Sequence, residues 1–326
     1  MEVRGITAVE GLELGHHTLS ERPTGCTVVL ARSGAVGGVD IRGSAPGTRE
    51  TALLDPVNTV AEVHAVVFSG GSAFGLDASS GVMRYLDERD IGYRVGRGVV
   101  PIVVGAILYD LGLESGEKVR PGAECGYAAA SAASADAPPE GSVGAGAGAT
   151  VGKFGPTGRP MRGGFGTASL TLPSGLTVAA AVAVNAVGDI VDPATGQIVA
   201  GARTEDGRGF VDARRILRAG TDLGAPPPPG MNTTIGVVAT NASLTKAEVT
   251  KVAQMAQDGL ARTIYPAHTT RDGDTVFSLA TGAWDGPADV TVIGALAADV
   301  MAEAILRAVR SARGLPGIPA VADLGN

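Results

Sequence analysis

The sequence has few of the residues on which metal and histidine-based chemistry depend. It contains four histidines, and none of them has metal-ligand spacing with another histidine or a carboxylate pair. A zinc site and a Ser-His-Asp triad are therefore poorly supported, and no metal is expected. Cys26 and Cys125 are too few for a disulfide framework and lack CxxC spacing, which predicts two incidental thiols in a reducing compartment.

Runs of one charge and long apolar runs are also missing. Lys and Arg number 26 against 33 Asp and Glu, and no basic run is interleaved with aromatic residues, so nucleic acid is not expected as a partner. No apolar run is long enough to span a bilayer, and residues 1–5 do not resemble a signal peptide. These features predict a soluble, cytoplasmic protein with no membrane partner.

The glycine-rich segment 141–153 does not match a nucleotide-binding motif. Its Gly-x-Gly repeats follow no strong strand and precede no matching acidic residue, as a dinucleotide fingerprint requires. A P-loop would need glycine at Ala147 and Ser or Thr at Phe154. No cofactor is therefore expected.

What the chain does contain is a high apolar fraction with abundant small residues, typical of close packing between helices and sheets. Short β-branched runs alternate with helical segments, which predicts layered α/β packing rather than a simple doubly wound sheet. The predicted strands are 27–31, 64–68, a hairpin within 166–184, 234–240 and 275–281. The predicted helices are 78–86, 128–137, 211–220, 245–261 and 289–313.

The most informative segment is the junction between the proline run 226–229 and the strand at 234–240. Asn232, Thr233 and Thr234 lie there, at the end of an extended linker. If the chain were cut before Thr233, that threonine would carry a free α-amine, and an N-terminal threonine is an activated nucleophile. On spacing alone, the ordinary start of a strand is the simpler interpretation.

Three other local patterns are candidates for chemistry. Asp272 and Asp274 lie two residues apart just before a strand, where close carboxylates have different pKa values, although an Asp-Gly turn has the same composition. Lys153 is isolated in a stretch almost without charge, as a buried cation or a solvated loop lysine would be. Asn185 ends an apolar strand, where its amide is either an oxyanion donor or a turn cap.

Taken in order, these segments resemble the self-processing peptidases of the DmpA and β-aminopeptidase group, and most closely the nylon-oligomer (aminohexanoate-oligomer) hydrolase branch. The resemblance covers nearly the whole chain. Its matching pieces are Pro23-Thr24-Gly25, residues 69–76, 103–110 and 144–153, Val184-Asn185-Ala186-Val187-Gly188, Asn232-Thr233-Thr234 and residues 272–277.

The resemblance implies a four-layer αββα sandwich like that of N-terminal-nucleophile hydrolases, with different connectivity. It also implies a single domain, 1–326, that cleaves itself between Asn232 and Thr233 into subunits 1–232 and 233–326. The cleaved protomers are expected to form a homo-oligomer, with a tetramer as the expected count.

Residue by residue, Thr233 matches the nucleophile of the family, and Asp272 and Asp274 match its acidic pair. Lys153, Tyr109 and Asn185 match its supporting polar residues. The aminopeptidase branch commonly has Gly-Ser at the scissile bond and Ser-x-Glu at the acidic pair, so this chain departs from it. That departure puts a strict N-terminal aminopeptidase specificity in doubt.

The sequence thus predicts a self-processing amide hydrolase acting on peptides or linear amide oligomers. Two alternatives stay open: an acyltransferase of the ornithine acetyltransferase kind, and a non-catalytic binding protein of the same fold.

Overall fold

The computed structural model describes residues 4–113, 118–154, 159–220 and 231–325, and the proline linker 226–230 lies outside them. The strands are β1 Leu12–Thr18, β2 Gly25–Ile41, β3 Thr48–Arg49, β4 Glu62–Ser69, β5 Tyr93–Val95, β6 Gly98–Val100, β7 Val103–Ile107, β8 Thr150–Val151, β9 Met161–Arg162, β10 Gly164–Thr171, β11 Thr177–Asn185, β12 Asp189–Val191, β13 Ile198–Ala200, β14 Thr233–Ala242, β15 Ile264–Tyr265 and β16 Thr275–Trp284. The helices are α1 Ala78–Asp87, α2 Ala123–Ser131, α3 Ala213–Ala219, α4 Lys246–Thr263 and α5 Val290–Arg310.

The buried apolar side chains form three main clusters, and these clusters define the layers. The first joins α4 and α5 to one face of β11, β14 and β16, where Val178, Ala180 and Val182 point toward the helices. The second lies between that sheet region and β1, β2, β4 and β7, and includes the alternate β11 residues Ala179 and Ala181. The third joins β2 and β4 to α1 and α2. Helix, sheet, sheet and helix layers therefore follow one another, which confirms the expected αββα sandwich.

The long strand β2 connects the two sheet regions. Its first half pairs with β1 and β4, and its second half pairs with β16. The register with β4 shifts between Leu30 and Ala35, where the strand passes from one region to the other. Hydrogen bonding thus runs continuously in the order β10-β11-β14-β16-β2-β4-β7-β3.

Local sequence signals account for most of the elements. The hairpin β10–β11, the helices α1 and α3, and the strands β14 and β16 confirm the predicted segments, with small differences at their ends. Helix α4 begins at a capping box, in which Thr245 and Glu248 each bond the other's backbone N–H. Asp289 caps α5 by accepting from the N–H of Thr291 at 2.8 Å.

The alanine-rich helix lies earlier than predicted, at Ala123–Ser131 instead of 128–137. Ser134 is paired through its backbone with Leu14 of β1, so the chain beyond Ser131 is taken up by the sheet edge. The helix propensity of the alanines is outweighed there by the backbone pairing with β1.

The prediction of two incidental thiols is wrong, because Cys26 and Cys125 form a disulfide with their Cα atoms 5.9 Å apart. Cys26 lies on the face of β2 that packs against α2, and Cys125 lies on the facing side of that helix. A sequence separation of 99 residues conceals this contact. In the part of the chain that the structure describes, no helix has the length and apolar character needed to cross a membrane.

Candidate active site

The predicted site residues meet at one end of the first sheet region because of how its strands are paired. Strand β11 runs antiparallel to β14 and places Asn185 opposite Thr233. Strand β14 runs parallel to β16, and an additional bridge joins Asn232 to Asp272 just before both strands begin. The end of β11 therefore lies beside the starts of β14 and β16.

The Asn232–Thr233 junction is buried and closely surrounded by polar groups. The Thr233 hydroxyl donates to the Asn232 carbonyl oxygen at 2.5 Å. The backbone N–H of Gly273 donates to the same oxygen at 2.9 Å. Asn232 and Thr233 are each at most 2 % exposed, so these groups interact away from bulk water. The carbonyl of the expected scissile bond thus has a hydroxyl and a backbone donor on it.

Asp274 holds the start of β14 in place. Its Oδ1 accepts from the N–H of Thr234 at 2.8 Å. Its Oδ2 accepts from the backbone N–H of His268 and lies 3.0 Å from the ring Nδ1 of that residue. The carboxylate is almost completely buried, yet three donors surround it.

Asp272 has a different set of donors and a perturbed acidity. Its Oδ2 accepts from the N–H and the hydroxyl of Thr269 at 3.1 and 2.5 Å, and its Oδ1 accepts from Val187 N at 3.3 Å. Burial, together with the negative charge of Asp274, raises the pKa of Asp272 to about 6. The pair therefore combines two carboxyl groups in different environments.

Lys153 is brought to the site by backbone pairing. Its N–H donates to Val187 O at 2.9 Å, just beyond the end of β11. Its ammonium donates to the Oδ1 and the backbone oxygen of Asn185 at 2.9 and 3.2 Å. Loss of hydration lowers the pKa of Lys153 to about 7, and the negative charge of Asp272 acts in the opposite direction. Burial therefore shifts Lys153 toward the neutral amine relative to a solvated lysine.

Asn185 links several parts of the site. Its Oδ1 accepts from Lys153 and from Thr150 N at 3.0 Å, and its Nδ2 donates to Tyr109 O at 2.9 Å. The amide is thus placed as a connector between β8, β11 and the end of the 103–110 segment. The role of Asn185 as an oxyanion donor stays a prediction.

A cavity of roughly 200 Å³ lies next to the junction. The side it shares with the site is formed by Tyr109, Thr150, Lys153 and Met231. Leu113, Pro160 and Ile318 add apolar surface. A substrate chain entering this cavity would lie beside the Lys153 ammonium and close to the scissile junction.

Asp110 explains why three separated segments of the resemblance belong together. This buried carboxylate accepts from Arg22 Nη2 at 2.8 Å, from the Thr24 hydroxyl at 2.5 Å and from Gly71 N at 2.9 Å. It therefore fastens the start of β2 and the glycine turn after β4 to one wall of the cavity.

Sequence reasoning missed two groups at the site. Gly273 was seen only as part of an Asp-Gly turn, although its N–H is the donor on the Asn232 carbonyl. His268 has no metal-ligand spacing that would single it out, although it lies six residues before Asp274 and contacts it. That short separation, within a turn leading to the acidic pair, was the available signal.

Comparison with known proteins agrees with this fold. A protein-family model described as "Peptidase family S58" matches residues 4–321 of this chain. An uncharacterized aminopeptidase of Mycobacterium leprae (strain TN) is 45% identical, over 97% of this chain and 93% of the relative. A 6-aminohexanoate-oligomer endohydrolase of Kocuria sp. (strain KY2) is 32% identical, over 92% of this chain and 84% of that enzyme.

Two solved structures share the fold. A β-aminopeptidase of Burkholderia sp. superimposes with a TM-score of 0.71 at 23% identity, covering 96% of this chain and 88% of the other. The L-aminopeptidase D-Ala-esterase/amidase of Ochrobactrum anthropi, described as a variant of the Ntn hydrolase fold, gives 0.69 at 19% identity, covering 97% and 89%. The resemblance seen in the sequence is confirmed: the chain belongs to peptidase family S58 and is an amide-bond hydrolase.

Proposed function

We propose that this chain is a self-processing amide hydrolase that cuts itself between Asn232 and Thr233 and then uses Thr233 as its nucleophile. The observation that carries the proposal is the junction, where the Thr233 hydroxyl and the Gly273 N–H both contact the Asn232 carbonyl oxygen. Acyl transfer requires a hydroxyl beside the carbonyl that it attacks and an N–H donor on the carbonyl oxygen.

In the self-cleavage step, the Thr233 oxygen adds to the Asn232 carbonyl carbon while its proton passes to a base. We assign that base to Lys153, whose amine is hydrogen-bonded to Asn185, the residue opposite Thr233 in the β11–β14 pair, and whose pKa burial lowers to about 7. The Gly273 N–H stabilises the negative charge on the carbonyl oxygen. The C–N bond then breaks, the nitrogen takes up a proton, and water hydrolyses the resulting ester. The products are chains 1–232 and 233–326.

In turnover, the new α-amine of Thr233 accepts the hydroxyl proton as the hydroxyl attacks a substrate amide. Asp274, supported by Asp272, orients that amine. Once Asn232 has left, the Gly273 N–H is free to bind the substrate carbonyl, and Asn185 is the second proposed donor. Water then releases the acyl group.

The proposed substrates are peptides or linear amide oligomers. The adjacent cavity combines apolar walls with Lys153 and the paired carboxylate of Asp110, which suits an apolar acyl chain that carries amide groups. The relatives are named as aminopeptidases and as aminohexanoate-oligomer endohydrolases, and both names denote enzymes that hydrolyse amide bonds. The cleaved protomers are proposed to assemble as a homo-oligomer, a tetramer, which light scattering would count.

The intact mass of the purified protein tests the proposal. We expect two fragments that meet at Asn232/Thr233, and a single full-length chain for Thr233→Ala. Thr233→Ser is the matched variant, since it keeps a hydroxyl and is expected to cleave. The matured protein is then offered aminohexanoate oligomers and peptides with free or blocked N-termini. A chain that stays whole, or that hydrolyses none of these, would contradict the proposal.

A further inference from the structure

His268 contacts the acidic pair in a way that the roles proposed above do not use. Its backbone N–H and its ring Nδ1 both lie 3.0 Å from Oδ2 of Asp274. Oδ1 of the same carboxylate accepts from the N–H of Thr234, directly after the nucleophile. His268 thus holds Oδ2 of Asp274, and strand β14, which carries Thr233, holds Oδ1.

The backbone of His268 adopts an uncommon conformation at this contact. Its φ angle is +55°, in the left-handed region, which is unfavourable for a residue with a Cβ atom. That conformation lets the backbone N–H and the ring of one residue reach the same oxygen. Local strain kept at a buried polar contact is a reason to look for a function there.

The surroundings of the ring indicate where its proton lies. Oδ2 of Asp274 already accepts from the backbone N–H of His268, so this oxygen is an acceptor and Nδ1 carries a hydrogen directed at it. Nε2 is buried, and no hydrogen-bond partner for it exists among the described residues. A second hydrogen on Nε2 would be a buried donor without an acceptor, which is unfavourable. The geometry therefore places a hydrogen on Nδ1, directed at Asp274.

We propose that His268 is a positioning residue for the reaction of Thr233, which rests on the function proposed above. It fixes Oδ2 of Asp274 so that Oδ1 stays directed at the start of β14. Without the ring donor, Oδ2 keeps only the backbone N–H of residue 268, and Asp274 is held less firmly against the negative charge of Asp272, which lies close enough to influence its acidity. The acidic pair then orients the Thr233 amine less well.

Two substitutions at position 268 separate this role from a general loss of packing. His268→Ala removes the ring donor. His268→Asn places an amide nitrogen close to the position of Nδ1, and asparagine tolerates the left-handed backbone. His17→Ala is the matched control, because it removes another partly buried histidine on β1, outside the site.

The assay uses the matured protein and whichever oligomer or peptide it hydrolyses. We expect His268→Ala to lower kcat by about tenfold to a hundredfold with KM nearly unchanged, which corresponds to one hydrogen bond to a charged group. His268→Asn is expected to recover most of that loss, and His17→Ala to behave as wild type. Unchanged kcat in His268→Ala, or an equal loss in His268→Asn, would overturn the proposal.

A second measurement does not depend on activity. Long-range ¹H–¹⁵N spectra of protein labelled at its four histidines report which ring nitrogen carries hydrogen, and the signal missing in His268→Asn identifies His268. We expect hydrogen on Nδ1, directed at Asp274. Hydrogen on Nε2 alone would refute the inference. Because this measurement needs no activity, its result stands even if the wild-type protein hydrolyses nothing and the proposed function is wrong.

Discussion

Replacing Gly273 with alanine tests the donor assigned to the scissile carbonyl. A Cβ atom at this position would lie 2.6 Å from Ala45 O and 2.8 Å from the Thr233 hydroxyl oxygen. Neither distance is tolerable for a carbon atom, and a backbone carbonyl cannot rotate away as a flexible side chain would. The turn therefore has to move, and the N–H of residue 273 moves with it, away from Asn232 O.

The size of the effect follows from that displacement. Losing one preorganised oxyanion donor costs about 3–4 kcal/mol of transition-state stabilisation, so self-cleavage should slow by about 10²–10³-fold. Overpacking also destabilises the fold, by about 1–3 kcal/mol. Because the two effects are separate, the rate has to be measured under conditions in which the variant is folded.

The assay is the disappearance of the full-length chain on a denaturing gel after cell-free synthesis. Gly98→Ala is the matched control, since a Cβ atom there meets nothing within 4 Å and the position lies on the distant hairpin β5–β6. We expect the control to mature as wild type does. A folded Gly273→Ala variant that matures at nearly the wild-type rate would refute the assignment of the Gly273 N–H as the donor.

Three further predictions concern charge and cross-linking. Since the pKa of Lys153 lies at about 7, the rate of self-cleavage should fall about tenfold per pH unit below 7. Lys153→Arg, which stays cationic, should not mature. A rate of self-cleavage that does not change from pH 5 to 9 would contradict this prediction. Burial lowers the pKa of His16 from 6.5 to about 4, so the unfolded chain binds a proton first as the pH falls, and about 2–3 kcal/mol of stability is lost between pH 7 and 4.5. Denaturant titrations of His16→Gln should lack that part of the loss, and equal slopes for both proteins would count against it. The disulfide closes a loop of about 100 residues, so the double variant Cys26→Ala/Cys125→Ala should have a free energy of unfolding lower by up to about 4–5 kcal/mol. Reductant should not change the stability of this variant. If the oxidised wild type is no more stable than the variant, the bond contributes nothing.

The layered fold was predictable from local sequence because local and global preferences agree in most segments. The alternation in β11 sends Val178, Ala180 and Val182 toward the helices and the intervening alanines toward the other sheet. The capping box at Thr245 and Glu248 marks the start of α4 in sequence and structure alike. These signals depend on spacing within one element, which a sequence displays directly.

Features that depend on contacts between distant segments were not predictable in this way. The Cys26–Cys125 bond joins a strand to a helix across 99 residues. The chain beyond Ser131 leaves the helix because Ser134 pairs with Leu14, whose position the alanine pattern does not encode. The donor at Gly273 is a backbone group, and its role follows only from where the turn lies relative to β14.

The pairing of β14 also explains why a cut before Thr233 is compatible with an intact protein. Strand β14 lies between β11 and β16, and β16 in turn pairs with β2, so the C-terminal segment 233–326 inserts two strands between two strands of segment 1–232. Separating the proposed subunits would break the β11–β14 and β16–β2 ladders together and expose the apolar cores on both faces of the sheet. The cut itself removes one covalent bond at the strand's first residue, while Thr234 N remains bonded to Asp274. The new α-amine is therefore formed on a strand that is already held by both neighbours, within reach of the groups proposed to use it.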